Sequence, residues 1–116
     1  MPTKDPLEPF FRVSVQEAKD MIDKGNLQIV DVREPNEYAS GHIAGALLIP
    51  VGSVLARRAE LSSDKEILFV CKVGQRSALA CEMASAVGRA KLFNLEGGTD
   101  AWIAQGYSVV NGDTPS

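Results

Sequence analysis

The residues best suited to chemistry form one short run, from Cys71 to Arg76, with four residues between the cysteine and the arginine. A thiolate is a strong nucleophile, and nearby cations and the N-terminus of a helix lower the pKa of a thiol. Gly74 allows a tight turn into the helix that is expected to begin near Arg76. The run therefore predicts a reactive thiolate at Cys71. The residues expected to bind the substrate around it are Lys72, Val73, Gly74, Gln75 and Arg76.

The single histidine limits the reactions open to this thiolate. His42 lies in a turn after a different strand, so a Cys–His hydrolase would lack its base. Attack on a sulfur atom needs no separate base when the leaving group departs as an anion, as sulfite does. The product would be a persulfide on Cys71, an anion that N–H groups of the loop can bind. Arg76 is expected to bind the donor's sulfonate, the alternative being a pair with a carboxylate at the helix start.

Other polar residues are interpreted as structural. Cys81 is expected to pack on the sheet from a helix face of small residues, and His42 to hold its turn by hydrogen bonds. Asp31, Arg33 and Glu37 are expected to form ion pairs that fix a loop rather than to edge the site. The remaining candidates are expected in the core (Phe93 and Trp102) or on a solvated face (Arg57 and Arg58).

Strands and helices alternate around this loop. Strands are predicted at 27–32, 46–49, 66–71 and 92–95, and helices at 14–24, 34–39, 54–61, 76–88 and 99–105. The best strands are apolar on both faces, which is typical of a parallel sheet covered on both sides. Cys71 falls at the carboxyl end of the most apolar strand, where such sheets bind ligands. The sequence predicts one α/β domain.

Length and composition agree with this interpretation. The 116 residues suit a single domain over 1–116, with a core from about 11 to 110 and short flexible ends. The net charge of −3 comes without a basic patch, which argues against nucleic acid as a partner. Two cysteines and one histidine do not make a zinc site. The chain lacks an apolar run for a membrane span or a secretory signal, so a cytoplasmic protein is expected.

Five motifs in order along the chain together resemble the rhodanese family of sulfurtransferases. They are Asp31-Val-Arg-Glu34, Glu37-Tyr38, Gly41-His-Ile-Ala-Gly-Ala46, Cys71-Lys-Val-Gly-Gln-Arg-Ser77 and Glu96-Gly-Gly-Thr-Asp-Ala-Trp102. The resemblance implies a five-stranded parallel sheet with helices on both faces, and a persulfide intermediate on Cys71. It also implies a single-domain enzyme without metal or organic cofactor. Thiosulfate or a persulfide would be the donor, and a thiol, cyanide or a sulfur-carrier protein the acceptor.

Loop length separates this family from the related dual-specificity phosphatases of the cell-cycle type. Those phosphatases have five residues between cysteine and arginine and a histidine before the cysteine. Here four residues intervene and Val70 precedes Cys71, which favours sulfur over phosphorus.

One departure concerns Leu48-Ile49-Pro50, where the family often has Asn before Ile-Pro. Similar versions occur in rhodanese domains attached to enzymes that activate sulfur-carrier proteins, which suggests a protein acceptor. A sulfur-relay or partner-binding module with little small-molecule turnover therefore stands as the alternative to an enzyme.

Overall fold

The computed structural model describes residues 2–116 and shows a five-stranded parallel sheet. Its strands are β1 (Phe11–Val13), β2 (Leu27–Asp31), β3 (Leu47–Leu48), β4 (Glu66–Val70) and β5 (Leu92–Leu95). They lie in the order β1-β5-β4-β2-β3, and every neighbouring pair is parallel. Strand β4 occupies the centre of the sheet, so the loop after it is flanked by strand ends on both sides.

Three α-helices of the described residues connect strands, and a fourth follows β5: α1 (Val15–Lys24), α2 (Pro35–Ser40), α3 (Gln75–Ala86) and α4 (Gly98–Ala104). A capping box, visible in the sequence as Ser14-Val-Gln-Glu17, begins α1. The Ser14 hydroxyl accepts the Glu17 N–H at 3.1 Å, and the Glu17 carboxylate accepts the Ser14 N–H at 2.8 Å. Among residues 2–116, no helix is long and apolar enough to cross a membrane.

Alternate residues of β4 enter cores on opposite faces of the sheet. Ile67, Phe69 and Cys71 belong to the core that includes Ala80 and Cys81 of α3. On the other face, Leu68 and Val70 join a core with side chains of the other three helices, among them Ala18, Tyr38 and Trp102. Both faces of the sheet are therefore covered, which confirms the predicted α/β class and explains why β4 is apolar from Ile67 to Val70.

Two elements differ from the sequence prediction. Strand β1 was not predicted because it is short and leaves Phe11 and Arg12 exposed, so it lacks an apolar run. The predicted helix 54–61 is wrong: this segment forms turns and a 3₁₀ helix, Arg58–Glu60. Only Val54 and Leu61 of the segment are buried, which leaves too narrow an apolar face to stabilise a regular short helix.

Candidate active site

Cys71 lies directly after β4, and a four-residue loop leads from it towards α3. Gly74 turns the chain into the helix with a φ of 105°, a conformation that favours glycine. Its N–H donates to the Cys71 sulfur at 3.1 Å. The loop therefore folds back over its own cysteine.

The N-terminus of α4 holds the first two carbonyl groups of this loop. The Thr99 N–H donates to the Cys71 carbonyl at 2.9 Å, and the Asp100 N–H donates to the Lys72 carbonyl at 3.1 Å. The approach is so close that a Cβ at Gly98 would lie 2.4 Å from both carbonyl oxygens. With these two carbonyls bound to α4, the N–H groups of Val73 and Gly74, which come next in the loop, face the Cys71 sulfur.

Opposing effects act on the Cys71 thiol. Burial raises its pKa, because a thiolate loses hydration. Hydrogen bonds from the Ser77 hydroxyl and from the N–H groups of Ser77, Gly74 and Val73 lower it, and together they outweigh burial. The pKa of Cys71 therefore lies below its ordinary value. This direction agrees with the reactive thiolate predicted from the sequence.

Arg76 is engaged by a carboxylate from another part of the chain. Its two terminal nitrogens donate to the two oxygens of Glu37 in α2, at 2.8 and 2.9 Å. This pair lowers the pKa of Glu37 to about 2 and raises the pKa of Arg76. The structure thus shows the carboxylate pairing that was the alternative role for Arg76, with a partner in α2 rather than at the start of α3.

The other loop side chains face outwards. Lys72 Nζ lies 2.6 Å from Asp100 Oδ2, with both side chains about half exposed (56% and 50%). Val73 and Gln75 are exposed. A cleft of about 190 Å³ opens beside the loop. Its walls come from the loop, α2, α4 and the turns that follow β2 and α2: Arg33, Glu37, Ser40, Gly41, Lys72, Thr99, Asp100 and Ile103.

The residues interpreted as structural lie beside this cleft or behind it. Buried Arg33 donates to the Asp31 carboxylate at 2.8 Å and to the Gly41 carbonyl at 2.8 Å. Both ring nitrogens of buried His42 lie 2.8 Å from carbonyl oxygens, those of Tyr38 and Thr114. The ion pair of Asp31 and Arg33 and the turn-holding role of His42 are confirmed, whereas Glu37 pairs with Arg76 instead.

Sequence reasoning assigned no role to Ser77, which contacts the cysteine, or to Asn94, which contacts Ser77. Ser77 is fully buried, and its hydroxyl oxygen lies 3.3 Å from the Cys71 sulfur. The same hydroxyl donates to Asn94 of β5. The sequence did contain a signal for Asn94, which is the one polar residue in the run Leu92–Leu95. A buried strand retains a polar side chain only when that side chain has hydrogen-bond partners.

The described residues place one thiol, several N–H donors and two ion pairs at the carboxyl end of the central strand. Among residues 2–116, no three His, Cys, Asp or Glu side chains are grouped to hold a metal ion. The arrangement is that of an α/β domain built around a buried cysteine of lowered pKa at the N-terminus of a helix.

Comparison with known proteins agrees with this class. Residues 14–105 match the Rhodanese-like domain family, and the chain belongs to that family. It is 30% identical over 95 residues to the thiosulfate sulfurtransferase GlpE of Pseudoalteromonas translucida, a match covering 82% of this chain and 90% of the relative. It is 39% identical over 75 residues to the uncharacterized protein YqhL of Bacillus subtilis, covering 65% of this chain and 60% of that protein.

The fold comparison gives the same family. The crystal structure of a rhodanese-related protein from Thermoplasma volcanium superposes with a TM-score of 0.80 at 33% identity. The match covers 87% of this chain and 98% of that one. The recognition made from motifs and the predicted five-stranded sheet are thus confirmed, and the relatives support membership of the sulfurtransferases.

Proposed function

We propose that the protein is a sulfurtransferase that moves a sulfane sulfur from thiosulfate or another persulfide donor to a thiophilic acceptor through a persulfide on Cys71. The observation that carries the proposal is the 3.1 Å hydrogen bond from the Gly74 N–H to the Cys71 sulfur, within a loop whose N–H groups converge on that atom. Such a site stabilises a sulfur anion without a histidine base.

In the first half-reaction, the Cys71 thiolate attacks the outer sulfur of thiosulfate. A new S–S bond forms, the S–S bond of thiosulfate breaks, and its electron pair leaves with sulfite. The terminal sulfur of the resulting persulfide carries one negative charge. The loop N–H groups and the N-terminus of α3 oppose that charge, so no proton donor is needed.

In the second half-reaction, a thiophilic acceptor such as cyanide attacks the terminal sulfur. The acceptor forms its bond to that sulfur, and the electron pair of the broken S–S bond returns to Cys71 as a thiolate. Sulfur transfer therefore leaves the enzyme unchanged and requires no metal or organic cofactor.

Donor binding is assigned to the loop from Lys72 to Arg76. An incoming dianion competes with Glu37 for the guanidinium of Arg76 and with Asp100 for Lys72. Exchange of one carboxylate for a sulfonate keeps each cation paired, because a guanidinium fork suits either planar or pyramidal oxyanions. The cleft of about 190 Å³ beside these side chains offers the donor a place to bind.

The test is the intact mass of the purified protein after incubation with thiosulfate in the absence of reductant. Wild type is expected to gain the mass of one sulfur atom, which cyanide then removes. The matched control is Cys81→Ser, which should gain sulfur as wild type does, whereas Cys71→Ser should gain none.

A protein that gains no sulfur from thiosulfate or from a persulfide donor would contradict the proposal. Fast persulfide formation with slow turnover to cyanide would instead identify the sulfur-relay alternative, in which a partner protein removes the sulfur. Steady-state turnover with thiosulfate and cyanide, measured beside the mass experiment, separates these two outcomes.

A further inference from the structure

Asn94 is a buried amide that links the active-site loop to the end of β5. Its exposed fraction is 1%, and its side-chain nitrogen donates to the Gly74 carbonyl at 3.1 Å and to Glu96 Oε2 at 3.0 Å. Its side-chain oxygen accepts the Ser77 hydroxyl. Every polar atom of the amide is therefore engaged.

The partners of Asn94 fix the orientation of its amide. A carbonyl and a carboxylate accept hydrogen bonds and do not donate them, so the amide nitrogen must face Gly74 and Glu96. The amide oxygen is then left for Ser77, whose hydroxyl has a single hydrogen to donate. That hydrogen is directed at Asn94, and the Cys71 sulfur, 3.3 Å away, faces a lone pair of the hydroxyl oxygen.

This arrangement suits a protonated Cys71 better than a charged one. A thiol can donate its hydrogen to the Ser77 oxygen, whereas a thiolate or persulfide needs the hydroxyl hydrogen for itself. The hydroxyl can turn towards the sulfur only by leaving the buried Asn94 oxygen without its donor, which costs free energy.

We propose that the Ser77 hydroxyl can donate its hydrogen to either of two acceptors, the Asn94 oxygen and the Cys71 sulfur. Asn94 is the positioning residue, because its oxygen competes with the sulfur for this hydrogen. With Cys71 protonated, the hydrogen stays on Asn94. When the Cys71 proton leaves to solvent, the hydroxyl rotates to the sulfur. Asn94 thereby sets how readily Cys71 ionises, and only the consequence for sulfur transfer rests on the proposed function.

Charged groups around Cys71 also influence its ionisation and must stay constant in a test. The nearest lie on the loop, on the two helices beside the cleft, and at the ends of β2 and β5: Asp31, Arg33, Glu37, Lys72, Arg76, Glu96 and Asp100. Asn94→Ala leaves all of them in place but frees Glu96 from one hydrogen bond. Glu96→Gln, which removes this carboxylate charge but leaves Ser77 and Asn94 in place, measures how far Glu96 by itself moves the midpoint of Cys71 ionisation.

The experiment measures the rate of Cys71 alkylation by iodoacetamide against pH, with the label located by peptide mass. Alkylation involves no sulfur donor, so it remains readable if persulfide formation fails. Asn94→Ala is expected to lower the midpoint by about one pH unit, the size expected for one hydrogen bond to a charged group. Ser77→Ala is expected to raise it, and Ser77→Thr, which keeps the hydroxyl, to restore it.

The double variant decides the mechanism. In the Ser77→Ala background, Asn94→Ala should leave the midpoint unchanged, because no hydroxyl remains to be released. An equal shift in both backgrounds would overturn the proposal, since Asn94 would then act through the Gly74 carbonyl. No shift, or a rise, in the single Asn94→Ala variant would overturn it as well. Circular dichroism checks the fold, and Asn94→Ser replaces Asn94→Ala if the latter does not fold.

Discussion

The two cysteines of this protein share a core but differ in the groups that face their sulfur atoms. Cys71 is 1% exposed and Cys81 is 0% exposed, and both pack in the core between α3 and the sheet. The Cys71 sulfur accepts hydrogen bonds from the loop. The Cys81 sulfur lies 3.6 Å from the Phe93 carbonyl, to which it can only donate.

Similar solvent exposure therefore accompanies opposite pKa shifts. Burial raises the pKa of Cys81 well above its ordinary range, and nearby negative groups add to that rise. At Cys71 the same effect is outweighed by N–H and hydroxyl donors, so its pKa is lowered. The difference shows that the hydrogen-bond donors facing each sulfur, the Ser77 hydroxyl and the loop N–H groups at Cys71, set the direction of the pKa shift.

The largest expected effect is a direct contrast between the two thiols. Native protein treated with iodoacetamide near neutral pH should be labelled at Cys71 at least about 100-fold faster than at Cys81. Peptide mass spectrometry over a time course measures both rates. Comparable labelling of the two cysteines in folded protein would contradict the expected difference between the two thiols. The control is unfolded protein, in which both cysteines should react at the same rate.

Next in size is the effect of crowding the contact between α4 and the loop. Gly98→Ala should raise the midpoint of Cys71 alkylation and lower the free energy of unfolding by about 3 kcal/mol, because the added Cβ displaces the two carbonyls. Gly88→Ala is the matched control, since Gly88 also has a positive φ (90°) but nothing within 4 Å of an added Cβ.

Denaturant unfolding and the pH dependence of alkylation measure these two quantities. Gly88→Ala should cost only about 1 kcal/mol, from backbone strain alone, and should leave the alkylation midpoint in place. Equal effects of the two substitutions would show that α4 does not orient the N–H groups around Cys71.

A smaller effect is expected from releasing Arg76. Glu37→Gln should lower the alkylation midpoint by a few tenths of a pH unit, because an unpaired guanidinium near the loop favours the thiolate. It should also lower the free energy of unfolding by about 0.5–1 kcal/mol at pH 7. Glu60→Gln, which breaks an exposed pair with Arg57 far along the chain from the loop, is the control.

The pH dependence gives this prediction a second check. The folded-state pKa of Glu37 is lowered from 4.5 to about 2, so its contribution is present above pH 4.5 and is lost as pH falls towards 2. The stability difference between wild type and Glu37→Gln should therefore shrink across that window. A difference that stays constant down to pH 2 would contradict the ion pair.

The smallest effect is expected at the exposed pair of Lys72 and Asp100. Asp100→Asn removes the charge but keeps the backbone N–H that holds the Lys72 carbonyl. Stability should change by no more than about 0.5 kcal/mol, since both side chains are half exposed. The alkylation midpoint should stay within about 0.3 pH units of wild type. A larger shift would show that the ion pair, rather than the Asp100 N–H, orients the loop.

The loop itself could be predicted from sequence because its determinants are local. A cysteine after an apolar strand, a glycine and an arginine before a helix are all visible within Cys71–Arg76. The same is true of the capping box at Ser14 and of the long strand β4, whose apolar character depends only on burial. These features needed no knowledge of distant partners.

The partners of the loop could not be predicted because they lie far away in sequence. Arg76 pairs with Glu37 across 39 positions, and Asn94 reaches Ser77 across 17. Strand β1 was not predicted for a related reason: its three residues form a strand only by pairing with β5. Contacts of this kind depend on the sheet order, which a single sequence does not specify.

The contact between α4 and the loop also has a consequence for biosynthesis. Thr99 binds the Cys71 carbonyl from 28 positions further along the chain, so the cysteine leaves the ribosome well before the helix that shapes its loop. In a nascent chain that ends at β5, the carbonyls of Cys71 and Lys72 lack the hydrogen bonds from α4 that hold the loop. The hydrogen bonds that hold the Cys71 loop are therefore completed only late in translation, when most of the domain that surrounds the thiol has already been made.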